Sequence, residues 1–292
     1  SFSRPRWFWW MESNADHAKI IVTAPKYKMS EGKTFAALAL LICNPWPSSR
    51  NNHLDRNEMV TAVDGLSASL SDVCGALCRR FVDISFEFFK SQWDLFAQEC
   101  KEKKVKLVFV YICSHGKIDL EGRLRLLLKG KDELKVGDLR KKIDDLRKIM
   151  PDTKFIFFLE CCYAGALIPD NLGESELSQL LYHPAIDKVK EGQASGTVLF
   201  MSCKREEKST ACIFASSLVE ILQENKQHVT AKTLVEKVSE KVKSMTRDST
   251  WYSRQTPTFW CVPENIEEMV IGGCGGELME IDTLVQSHAV YL

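Results

Sequence analysis

The sequence predicts an α/β protein with a mostly parallel central sheet and helices on both faces. Three observations carry this. The runs Phe35 to Cys43, Leu107 to Cys113 and Phe155 to Leu159 are apolar at nearly every position, as strands buried on both faces require. They alternate with stretches whose apolar residues recur every three or four positions, the period of a helix with one buried face. Two of the runs end abruptly in reactive residue types, one delivering His115 and the other Cys162, at the edge where open α/β sheets gather their chemistry.

In chain order, residues 1–33 show no clear period, and Trp7-Phe8-Trp9-Trp10 forms an aromatic cluster. Gly32-Lys33-Thr34 resembles the end of a phosphate loop, but Tyr27 stands where the earlier Gly belongs and a strand rather than a helix follows, so no nucleotide site is expected. Phe35 to Cys43 reads as the first strand. Asn44 to Gly65, with Pro45, Pro47, Ser48, Ser49, Asn51 and Asn52, reads as a long loop. Leu66, Leu70, Val73, Leu77 and Phe81 lie at helical spacing, and Ile84 to Phe89 suits a short strand. Trp93, Phe96, Ala97 and Cys100 outline a helix closed by Lys101-Glu102-Lys103-Lys104, and Leu107 to Cys113 is the next strand. Residues 117–137 read as hairpins turning at Gly122 and Gly130. Leu139, Ile143, Leu146 and Met150 form a helix stripe stopped by Pro151. After the Phe155 to Leu159 strand the pattern lapses from Gly165 to about Ser195, as in a surface loop or processing linker. Gly196 to Cys203 is a strand, Ala211, Phe214, Leu218 and Leu222 mark one helix, and Leu234, Val235, Val238, Val242 and Met245 mark another. Pro257 to Val262 is the last strand.

Composition excludes several functions. Lys plus Arg and Asp plus Glu number 39 each, which leaves no charge footprint for nucleic acid or an anionic membrane. No apolar run reaches the roughly 18 residues of a membrane span. The 11 cysteines are odd in number and sit mostly within apolar runs, which argues against a disulfide framework and for a reducing, cytoplasmic setting. Cys74 and Cys78 are spaced one helical turn apart, but no second pair follows at zinc-site spacing, so they are expected in the core.

The chemistry concentrates on His115 and Cys162. If both strands are central and parallel, their carboxyl ends share one edge. Strands about 4.8 Å apart put an imidazole within reach of a thiol one or two strands away. The thiolate is the nucleophile, and the imidazole promotes its formation and then protonates a leaving amine. Backbone N–H groups of Cys162 and Gly116 are candidates for an oxyanion site.

These residues carry a family resemblance. Ser114-His115-Gly116 after an apolar strand, then Glu160-Cys161-Cys162-Tyr163-Ala164-Gly165 with Cys162 lying 47 positions after His115, resembles the caspase-like cysteine peptidases. Within that group the details are similar to metacaspases, whose Asp-x-Cys-His-Ser-Gly aligns Gly165 and so marks Cys162, not Cys161, as the nucleophile. Leu66-Ser67-Ala68-Ser69-Leu70-Ser71-Asp72-Val73 is similar to the Leu-x-Gly-Cys-x-Asn-Asp-Ala helix start of metacaspases. Ser202-Cys203 with Ser209-Thr210-Ala211, and Gln255-Thr256-Pro257, resemble their later strand segments.

The resemblance implies a three-layer caspase-like sandwich. A peptidase domain would span 35–262, with a large-subunit-like part at 35–165, a linker at 166–195 and a small-subunit-like part at 196–262. An N-terminal extension at 1–34 and a tail at 263–292 would flank it. It implies protein or peptide substrates, a Cys–His dyad and a role in programmed cell death. It also implies an acidic first pocket built from Asp72 and Glu160, hence cleavage after Arg or Lys. Two alternatives stand beside it. Lys204 and Arg205 offer cations for cleavage after Asp, and the altered flanks of the cysteine suit a weakly active, partner-binding scaffold. No metal or cofactor is expected; the resemblance leaves calcium activation as an alternative, but the acidic calcium segment of metacaspases is not evident, with Asp119, Glu121 and Asp132 scattered. Self-cleavage in the linker is expected at Lys188 or Lys190 for a basic-specific enzyme, and at Asp170 or Asp187 for an acid-specific one.

Overall fold

The computed structural model describes residues 19–23, 37–45, 53–168, 196–210, 212–247, 254–262 and 269–273. The Trp7–Trp10 cluster, the Gly32-Lys33-Thr34 sequence and the four candidate linker sites lie outside them. Among the described residues, the principal sheet is built on strands β1 (Lys19–Thr23), β2 (Ala37–Asn44), β3 (Ala76–Val82), β4 (Leu107–Ile118), β7 (Lys154–Glu160), β8 (Thr197–Met201) and β10 (Thr258–Val262). Their order is β1-β3-β2-β4-β7-β8-β10. The inner strands β3, β2, β4, β7 and β8 are parallel, and β1 and β10 close the edges antiparallel. This is the expected α/β sandwich, with the two runs bearing His115 and Cys162 at its centre.

Alternation along β2 sorts the layers. Ala37, Ala39, Leu41 and Cys43 face α1 (His53–Cys74), α4 (Ile213–Glu224) and α5 (Ala231–Arg247), meeting Val63, Leu66, Leu218 and Val238. Leu38, Leu40 and Ile42 face α2 (Phe86–Lys103) and α3 (Val136–Ile149), meeting Phe89, Trp93, Leu139 and Ile143. An aromatic knot ties the centre to one layer: the Phe158 ring lies 6.4 Å from Phe200 and 6.5 Å from Phe214, and the last two meet edge-on at 4.8 Å.

Several local expectations need correction. The stretch read as a loop to Gly65 is helical from His53 onward. Leu77 and Phe81 leave the expected helix stripe because α1 stops at Cys74. They belong to β3, whose burial alternates. Ile84 to Phe89 is not a strand. Ser85 takes up an extended backbone and its Oγ accepts the Phe88 N–H at 3.3 Å, so it caps the start of α2. Cys74 and Cys78 therefore sit on different elements. Both are buried, and burial pushes the Cys78 thiol up to about 12. Two further pieces were illegible. Strand β1 falls in the stretch without period, and Val270–Gly273 (β11) pairs with His228–Thr230 (β9) in a separate two-stranded sheet. The hairpin region holds Leu124–Leu127 (β5) and Glu133–Lys135 (β6), with Gly122 and Gly130 at φ 73 and 77 as turn points.

Candidate active site

Strand register explains the spacing of the two reactive residues. β4 and β7 are direct neighbours, paired in parallel from Leu107↔Lys154 to Cys113↔Glu160. The offset along this ladder is 47 throughout, the same separation that divides His115 from Cys162. His115 and Cys162 each lie two residues beyond the last pair of this ladder, at the carboxyl edge of the sheet. β4 continues past the sheet as an extended arm and pairs with β5 (His115↔Leu127, Gly116↔Leu126), which holds His115 in an exposed position on a fixed backbone. Ser114, buried beneath it, donates to the Leu127 carbonyl.

The two arms touch at Gly116. A β-carbon built there lies 2.1 Å from the Cys162 carbonyl oxygen and 3.2 Å from Cys161 Sγ, so only glycine lets the backbone after His115 reach the Cys161–Cys162 turn. Gly165 makes a second close approach, where a β-carbon falls 2.6 Å from the Arg205 nitrogen and 2.9 Å from the Lys204 carbonyl carbon. Between these glycines the chain turns sharply, with Tyr163 in the left-handed region at φ 63.

The two cysteines differ in exposure. Cys161 is 3% exposed, and burial holds its thiol well above the ordinary range. Cys162 is partly exposed, with Sγ 3.7 Å from the Ser209 carbonyl oxygen. Ser209 belongs to the loop from Ser202 to Thr210, which joins β8 to α4 and passes over Cys162.

Glu160 and Asp72 are not brought together. Glu160 is 2% exposed, and its Oε2 accepts from Tyr111 Oη at 2.6 Å and from the Ala215 N–H at 3.1 Å. It faces the N-terminal end of α4, where a carboxylate is favoured. Burial nevertheless raises its pKa to about 7, against the lowering by the Tyr111 bond and by the Ala215, Phe214 and Cys212 amides. Asp72 lies in the last turn of α1, just before β3 begins at Ala76. That is the amino edge of the sheet, a strand length of about 20 Å from the carboxyl edge at 3.3 Å per residue. The segment Leu66 to Val73, expected as a helix start, closes its helix instead. The acidic pocket expected from the pair is therefore not formed by these residues. Arg205 is directed elsewhere: its guanidinium donates to the carbonyls of Gly122 at 3.3 Å and Ile168 at 3.4 Å. Arg140 holds the adjoining turn through Leu167 O at 2.5 Å and Ala166 O at 3.0 Å.

Sequence reasoning missed Glu207. Its carbonyl accepts the Tyr163 N–H at 2.8 Å, and its carboxylate accepts from Thr256 N at 2.6 Å and Thr256 Oγ1 at 2.9 Å. A charged residue in a polar loop carries no periodic signal. Among the described residues no group of His, Cys, Asp and Glu is arranged to hold a metal ion, and no helix is long and apolar enough to cross a membrane.

Residues 36–265 match the family model described as the caspase domain. The chain belongs to the caspase-domain family. Its fold is similar to that of the Drosophila initiator caspase Dronc, with a TM-score of 0.50 and 9% identity over 82% of this chain and 88% of that one. Caspase-1 from Spodoptera frugiperda gives a TM-score of 0.49 and 15% identity over 77% of this chain and 88% of that one. No curated protein matches this caspase domain in sequence.

Proposed function

We propose that the chain is a cysteine endopeptidase in which Cys162 attacks the scissile carbonyl and His115 serves as its base and then as the acid for the leaving amine. The observation that carries this reading is the shared offset of 47 between the paired strands and the two residues. It supports a pairing of imidazole and thiol at the carboxyl ends of neighbouring strands, the arrangement that covalent catalysis uses. The N–H groups of Cys162 and Gly116 complete the proposal as oxyanion donors, since the Gly116 backbone lies against the nucleophile turn.

Specificity for Arg or Lys loses the support first given to it, because Glu160 spends its carboxylate on Tyr111 and α4 while Asp72 stands at the far edge. The residue before the scissile bond is therefore chosen by groups other than this pair. A pool of fluorogenic peptides varied at that residue, with Arg, Lys and Asp among the choices, tests both parts. Turnover that vanishes in Cys162→Ala supports the peptidase, and equal turnover by that variant ends the proposal.

A further inference from the structure

We propose that Glu207 is a positioning residue for the nucleophile, fastening the turn after Cys162 to Thr256 on the segment that leads into β10. The inference rests on the peptidase reading and adds what holds its nucleophile in place.

The turn needs a holder. β7 ends at Glu160, and three residues later Tyr163 adopts the left-handed backbone at φ 63, a conformation that a non-glycine residue keeps only when its surroundings impose it. The Tyr163 N–H is held by the Glu207 carbonyl at 2.8 Å. Cys203 Sγ adds a second donor to that carbonyl at 3.3 Å and a contact to the Cys161 carbonyl at 3.3 Å. The Glu207 carbonyl thus holds the residue after Cys162, and the single S–H of Cys203 can serve either that carbonyl or the one of Cys161.

Glu207 is itself fixed from behind. Its carboxylate forks over Thr256, accepting the backbone N–H at 2.6 Å and the hydroxyl at 2.9 Å, and also faces the Lys204 N–H at 3.3 Å. Bonds to an ionised acceptor are about twice as strong as neutral ones. Gln255, fully buried, closes the base of the same loop. Its Nε2 donates to Ser202 O at 2.8 Å, and its Oε1 accepts the Thr210 N–H at 3.0 Å. The loop facing Cys162 is thus tied at its base by Gln255 and at its crown by Glu207. Both ties lead to adjacent residues after α5, far along the chain from Cys162. The Gln255-Thr256 pair, which in the sequence resembles a late strand segment of metacaspases, has this as its task.

The test compares Glu207→Ala, Thr256→Val, the double variant and Thr256→Ser, each kept well below its melting temperature. Turnover of the peptide pool and iodoacetamide labelling of each cysteine by mass spectrometry are both read. Glu207→Ala and Thr256→Val each lower kcat about tenfold to a hundredfold with KM little changed, as a displaced nucleophile does. The double variant loses no more than the worse single one, Thr256→Ser keeps near wild-type turnover, and the buried Cys161 becomes labelled in the loosened turn. Folded Glu207→Ala and Thr256→Val proteins with wild-type kcat and a protected Cys161 overturn the proposal. If the wild type turns over no peptide, the peptidase reading fails separately, and the Cys161 labelling pattern alone decides whether Glu207 holds the turn.

Discussion

Replacing Glu160 by Gln tests the reading of that residue as a buried strut. Moving its carboxyl from an ordinary value of 4.5 to about 7 corresponds to about 3 kcal/mol, at roughly 1.4 kcal/mol per tenfold change. The sign follows from proton binding. The folded protein holds this proton more tightly than the unfolded chain does. The cost is therefore absent below about pH 4.5, grows as the pH rises, and is complete above about pH 7. The titratable neighbours are Tyr111 and Cys113 on β4 and the adjacent Cys161, and all three are themselves pushed up and stay protonated through this range. In Glu160→Gln the amide oxygen takes the place of Oε2 and still accepts from Tyr111 Oη and the Ala215 N–H, so near about pH 5 the variant stays within about 1 kcal/mol of wild type. By about pH 8 it gains about 3 kcal/mol relative to wild type. Urea unfolding followed by tryptophan fluorescence at several pH values measures the difference directly. A difference that stays constant with pH refutes the assignment.

Other substitutions probe the site and its support. Gly116→Ala forces apart two backbones that a β-carbon would bring to 2.1 Å. Peptide turnover falls about a hundredfold, since an ångström of misplacement costs that much. Gly165→Ala meets the Lys204–Arg205 backbone and lowers stability by about 1–3 kcal/mol in thermal melts. Phe158→Ala opens the aromatic knot between β7, β8 and α4 and costs about 3–5 kcal/mol by urea titration.

Much of the fold was legible because burial wrote it into the sequence. β2, β4 and β7 lie between two helical layers and so read as unbroken apolar runs, while Leu139, Ile143 and Leu146 record a single buried face. The errors fell where that signal was weak or local. The start of α1 lies in polar sequence behind two prolines, and periodicity continued by chance from Val73 to Leu77 and Phe81 across the Gly75 break. The site divides in the same way. His115, Gly116, Cys162 and Gly165 lie just past the paired runs of β4 and β7, whose ladder offset equals the His115–Cys162 spacing, so the apolar runs before them made them legible. The pocket did not follow, because pairing Asp72 with Glu160 required knowing which edge of the sheet each occupies. Glu207 and Gln255 act through loop hydrogen bonds that no periodicity records.

The central claim is that Cys162 and His115 work as a pair. The most direct measurement is turnover of a fluorogenic peptide pool by wild type, Cys162→Ala, Cys161→Ala and His115→Ala, with the folded state of each verified by its melt. The account predicts that Cys162→Ala and His115→Ala each abolish turnover and that Cys161→Ala retains most of it. Turnover that survives the loss of His115, or that depends on Cys161 instead of Cys162, contradicts it.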